Sequence, residues 1–178
     1  MDPGALFGRP AGNGLTRATS LRHHARMSIE DKLAALGLVL PEAPLPVAAY
    51  VPAVEIGGLL HLSGQLPFQD GALMTGRLGE DRDEAFGHEA ARRCALAILA
   101  QVRKAAGSLD RVERIVKLGV FVSSAPGFTA QPKVANGASE LMVEVFGEAG
   151  RHARSAVGVA VLPLNAAVEI DAIVALRD

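Results

Sequence analysis

The sequence predicts an α+β domain: a mixed β-sheet with two long helices on one face and the opposite face left open. Three observations lead there. Phe86, Ala90, Cys94, Ile98 and Val102 recur every four residues, which is the apolar stripe of a long helix. Val134, Ala138, Leu141 and Val145 repeat that pattern further on. Between and around these stretches lie short apolar runs with the two-residue alternation of strands. Each helix shows one apolar stripe, so both can pack on the same side of a single sheet.

Each element has its own local signal. Ser28 opens a helix over residues 29–36, because SIED is an S-x-x-D capping box and Gly37 stops it. LPEAPLPVAA is a Pro-rich connector. VPAVEIGGLLHLSGQ is a hairpin that pivots on Gly57-Gly58. Residues 68–82 are Gly-rich and polar and are expected as loop. The long helix spans 84–106 and ends at Gly107, and RVERIVKLGVFVS follows as a strand over 111–123. Pro132 suits the first turn of the second long helix, which Gly147 terminates. Two strands around a Leu-Pro turn, ARSAVGVAVLPLNAAVEIDAIVAL, complete the domain.

Composition narrows the function classes. The chain has 178 residues and a formal net charge of −1, enough for one well-buried core and short for two domains. No apolar run approaches the roughly 20 residues that cross a bilayer. One cysteine excludes an internal disulfide and a cysteine-based zinc cluster, and it fits a reducing, cytoplasmic setting. With no Trp and one Tyr there is little on which to stack bases. Residues 1–26 form a separate leader, rich in Gly, Pro and Arg and without apolar period. Arg9, Arg17, Arg22 and Arg26 against Asp2 give it +3, which leaves −4 for residues 27–178. It is expected to be disordered and outside the fold, as an upstream start, a tag or a targeting segment.

Charged residues beside apolar strands need partners or water. Along the strand from Arg154, Val157, Val159 and Val161 point one way, and Ala156, Gly158 and Ala160 point the other way with Arg154. The valines are expected under the helices. The small residues are expected outward with Glu169 and Asp171, on a face that holds an oligomer contact and a pocket. Taken singly, Arg154 is equally a strand-edge charge, the two acids are equally solvent-facing residues, and Ser63-Gly64 is equally a turn. Cys94 is a small core residue, and His61 a lone strand histidine. No H-x-x-x-H or C-x-x-C spacing marks a metal site, and neither a phosphate loop nor a nucleophile elbow occurs.

Together HLSGQLP and the R-S, L-P, E-I run in ARSAVGVAVLPLNAAVEIDAI resemble the RidA (YjgF) family of reactive-intermediate deaminases, over roughly residues 50–174. The extra first helix and FTAQPKVANGASELMVEVFGEAGRHARSAVGV resemble its longer branch, labelled YjgF/chorismate-mutase-like putative endoribonuclease. The resemblance implies a chorismate-mutase-like fold, a trimeric barrel with sites in the clefts between subunits, and no cofactor or metal. It implies that Arg154 clamps a substrate carboxylate with help from Gly64 and neighbouring Ser63, and that Glu169 holds the hydrolytic water. Tyr50 and Asn136 would line the cleft. Ala156 stands where many members carry a cysteine, and Gly158 where many carry an acid, which points to a wider pocket. The implied reaction is hydrolysis of an enamine or imine of the 2-aminoacrylate type to a 2-keto acid and ammonia. RNA cleavage and non-catalytic binding of keto acids are the alternatives; the acidic body and scarce aromatics speak against RNA.

Overall fold

In the computed structural model, which describes residues 27–43 and 49–178, a five-stranded sheet is backed by two long helices. The expected leader lies outside the described residues, as does part of the Pro-rich connector. Ser28 caps α1 (Ile29–Ala35), accepting from the Asp31 N–H at 3.0 Å. The hairpin of β1 (Ala53–Ile56) and β2 (Leu59–Gln65) turns on Gly57 and Gly58, with φ of +58° and +75°. That pair of left-handed residues is what a two-residue hairpin loop requires. The stretch expected as loop carries a small hairpin of its own, β3 (Phe68–Gln69) and β4 (Ala72–Leu73). Its turn is Asp70-Gly71, again both at positive φ.

Helix α2 (Glu84–Ala106) and α3 (Gln131–Phe146) run where the stripes place them, with Asp83 capping the first and Pro132 in the first turn of the second. Strand β5 (Val112–Ser123) separates them, and β6 (Ala153–Val159) and β7 (Val168–Leu176) close the sheet. Strand order is β1-β2-β7-β5-β6; β5 and β6 run parallel and the other neighbours antiparallel. The core lies between sheet and helices: Leu60 and Leu62, Leu118, Val120 and Val122, and Val168, Ile170 and Val174 face Ile98, Leu99, Val102, Leu141 and Met142. Cys94 sits fully buried in α2, its Sγ 3.7 Å from the Val168 carbonyl oxygen.

Strand β7 alternates as expected, with Val168, Ile170, Ala172 and Val174 inward and Glu169 and Asp171 on the open face. Strand β6 is the reverse of the expectation. Its register sets Arg154 beside Leu118, Ala156 beside Val120 and Gly158 beside Val122, all in the buried row of β5. Arg154, Ala156 and Gly158 therefore face the helices, while Val157 looks out at 46 % exposure, and Val161 beyond the strand is 65 % exposed. The cause is room. A Cβ on Gly158 would come within 2.6 Å of Ser124 Oγ and 2.7 Å of Gln131 Nε2. The row is small because α3 and the loop before it approach this edge of the sheet.

Candidate functional site

The expected site residues form two clusters. In the first, Arg154 reaches from β6 under α3. Its Nη1 donates to Asn136 Oδ1 at 3.0 Å and to Ser139 Oγ at 2.9 Å, and its Nη2 donates to the Pro132 carbonyl at 3.2 Å. A guanidinium has five N–H donors, so the Nε–H and one Nη2–H remain without a partner among the described residues. All three acceptors are neutral, and no carboxylate lies within ion-pair distance of Arg154 among the described residues. A half-buried positive charge is left uncompensated. Ala156 follows on the same face and packs on the core.

The first cluster continues through two residues that the sequence reading did not single out. Ser139 Oγ lies 3.0 Å from His152 Nε2, and His152 Nδ1 lies 2.6 Å from the Gly150 carbonyl oxygen. Burial lowers the pKa of His152 from its ordinary value, the Gly150 bond opposes this, and the Arg154 charge lowers it further. A periodicity reading could have found both. Ser139 is one helical turn after Asn136 on α3, and His152 is two residues before Arg154.

The second cluster surrounds Glu169. Between the pairs Leu62↔Ala172 and Gln65↔Ile170, Ser63 and Gly64 together oppose Asp171, which is a β-bulge. Glu169 lies against Gly64: a Cβ there would overlap Oε1 and sit 2.7 Å from Cδ. Only glycine fits. Ser63 ties the bulge to the incoming chain, its Oγ donating to the Val51 carbonyl at 3.0 Å and its N–H to the Pro52 carbonyl at 2.9 Å. Tyr50, Ser63, Gly64 and Phe68 line a separate cavity of about 530 Å³ with Arg93 and Ala97 of α2, and Glu169 is not part of its wall. Glu169 makes no side-chain hydrogen bond among the described residues. Burial, and next the Asp171 charge, raise its pKa above the ordinary carboxylate value. Asp171 has a partner, accepting from the Gly119 N–H at 3.1 Å.

The clusters do not meet within one chain. Arg154 is on the helix side of the sheet and Glu169 on the open side, with β5 between their strands. Strand spacing alone separates β6 from β7 by about 10 Å. The expectation that Arg154 edges the acid-bearing face is corrected by this geometry.

Residues 30–175 match the family model described as YjgF/chorismate mutase-like, putative endoribonuclease. The chain belongs to this family. Among its relatives, Protein TCP17 of Trypanosoma cruzi is 55% identical over 84% of this chain and 95% of its own length. A 2-iminobutanoate/2-iminopropanoate deaminase of Dermatophagoides farinae is 32% identical over 77% of this chain and 93% of its own. The crystal structure of a putative endoribonuclease from Shewanella oneidensis MR-1 superimposes with a TM-score of 0.81 at 36% identity, covering 84% of this chain and 99% of that one. The YjgF/chorismate mutase-like fold, α+β with a mixed sheet and three helices, is the fold of this chain. No helix among its described residues is long and apolar enough to cross a membrane.

Proposed function

We propose that the protein hydrolyses short 2-imino acids, and the enamines in equilibrium with them, to 2-keto acids and ammonia. The observation that carries this is the Arg154 guanidinium, held by neutral acceptors alone with two N–H groups still to give. Such a group binds a carboxylate through two parallel bonds, which a lysine cannot reproduce. Glu169 supplies the second requirement. A carboxyl whose pKa is raised holds a proton more readily than an ordinary carboxylate, which suits it to take one from water and return it to a leaving amine. Water adds to the carbon of the N-protonated imine as Glu169 takes one water proton, giving a neutral carbinolamine. Glu169 then returns that proton to the amine, the C–N bond breaks as C=O forms, and the hydroxyl proton leaves with the ammonia as ammonium. The imine deaminase among the relatives supports the same substrate class.

Both residues can act on one ligand if the β6 edge of one chain meets the open sheet face of another. That face carries exposed Val54, Ile56 and Val157, an apolar surface suited to a second copy. A homotrimer closed this way would place Arg154, Asn136 and Ala156 of one subunit opposite Glu169, Gly64, Ser63 and Tyr50 of the next.

The test is ammonia release from 2-aminoacrylate generated in situ, alongside sedimentation of the protein. Arg154→Lys is expected to keep fold and mass while losing at least about tenfold in hydrolysis, the worth of a charge-assisted bond. Full activity in the lysine variant overturns the assignment. Nicking of RNA that disappears in Arg154→Ala, with no ammonia released by the wild type, would favour the nuclease instead.

A further inference from the structure

Ser139 and His152 take no part in the chemistry above, yet the bonds they make have only one consistent direction. The Gly150 carbonyl can only accept, so His152 Nδ1 carries a proton, and in the neutral ring Nε2 is then bare. Ser139 Oγ already accepts from Arg154, and its own hydrogen is the one available to reach Nε2. The chain therefore runs from guanidinium to hydroxyl to imidazole to backbone, each group donating to the next. Asn136 Oδ1 takes the other Nη1–H, and the Pro132 carbonyl takes one Nη2–H. The remaining Nε–H and Nη2–H are thereby aimed before any ligand arrives.

We propose that Ser139 and His152 are positioning residues for Arg154, given that Arg154 is the carboxylate clamp described above, and that the clamp is set while His152 is neutral. Protonation would give Nε2 a hydrogen of its own. The Ser139 hydroxyl would then have to accept from two cations and turn its proton elsewhere, with an imidazolium beside the guanidinium. Arg154 is the charge that acts on His152 directly. Among its neighbours in the chain, Glu148 and Arg151 pair with each other at 3.0 Å, while Arg114 of β5 donates to the Arg151 carbonyl. On α3, Glu140 faces His88 of α2 at 3.2 Å. No acid among these neighbours is drawn toward His152 to offset the added charge.

The experiment is calorimetric titration of the full chain with 2-oxobutanoate as probe, from pH 8 downward, with ring-nitrogen NMR of His152. Wild type is expected to bind most tightly at high pH and to weaken several-fold only at a pH lower than the ordinary histidine value of about 6.5, because burial and the Arg154 charge hold His152 below it. The neutral His152 should show its proton on Nδ1. His152→Gln should no longer weaken on acidification; protonation of Glu169, which reduces repulsion of the ligand carboxylate, acts in the opposite sense. Ser139→Ala should bind about tenfold more weakly at pH 8, the loss expected for one bond to a charged group, and Ser139→Thr should restore most of it. Should Ser139→Ala not fold, the His152→Gln profile carries the test alone. Binding that needs Arg154 but ignores Ser139→Ala, or a weakening on acidification that survives in His152→Gln, overturns the positioning role. Arg154→Ala binding as well as wild type overturns the clamp itself, a separate result.

Discussion

Two polar clusters share this sheet and are built by opposite means. Around Arg154 everything is a bond made: Asn136, Ser139 and Pro132 accept from it, and His152 and Gly150 extend the chain. Around Glu169 the device is subtraction. Gly64 withholds a side chain, the bulge opens the ladder, and the carboxyl is left without a bonding partner among the described residues. The first arrangement fixes a direction; the second leaves a group free to exchange a proton. They should fail differently, the first when helices shift and the second when volume is added.

The largest effect is expected at Gly137, beside Asn136 on α3. A Cβ there would overlap the His88 carbonyl oxygen of α2 and lie 2.9 Å from its carbon. Backbone cannot step aside as a side chain can. Gly137→Ala should cost about 1–3 kcal/mol as overpacking and lower Tm by roughly 3–10 °C. It should weaken 2-oxobutanoate binding as well, because Asn136 and Ser139 move with α3. An unchanged melt with unchanged affinity would show that the Arg154 cluster does not depend on helix spacing.

Gly64→Ala tests the other side. The new methyl must push Glu169 from its seat, so imine hydrolysis should fall about a hundredfold, within the range of a lost general acid–base group. Tm should stay within about 2 °C, since a displaced carboxylate reaches water. A variant that keeps its rate would mean the packed position of Glu169 is not the working one.

The smallest effect is in stability. Glu169 has a folded pKa above its unfolded one, so the stability it contributes is full below the unfolded value and is lost as pH rises through the folded value. Glu169→Gln should therefore melt about 1–2 °C higher than wild type near pH 7.5. The difference should vanish at about pH 4 and below, near the ordinary carboxylate value. A lower Tm at neutral pH would mean that Glu169 has a stabilising partner in the assembled protein.

How much of this was legible in the sequence follows from contrast. In β7 acids alternate with Val, Ile and Ala, and polarity tells the two faces apart. In β6 beyond Arg154 and Ser155 both rows are apolar and differ only in size. Size reports how close the neighbour comes, not which neighbour it is, and here it is Gln131 and Ser124 of the same chain. The long helices were legible because stripes of four or five residues share one face over several turns. The small hairpin in 68–82 was missed, although Asp70-Gly71 is a hairpin dipeptide, because two-residue strands are too short to show alternation. The resemblance supplied Arg154 and Glu169 as a pair. That they stand on opposite faces required the register.

Cys94 carries a further consequence. The chain has one thiol, fully buried beneath Val168 on the reverse side of the strand that bears Glu169. Burial pushes its pKa well above the ordinary thiol value, and the Glu169 charge adds to that. A thiol kept protonated and enclosed is a poor nucleophile. Ala156, next after Arg154 on the same face of β6, offers a methyl group and no nucleophile. A thiol-directed reagent added to the folded protein should therefore leave Cys94 unmodified, and its alkylation would report opening of the sheet–helix core and not events at Glu169.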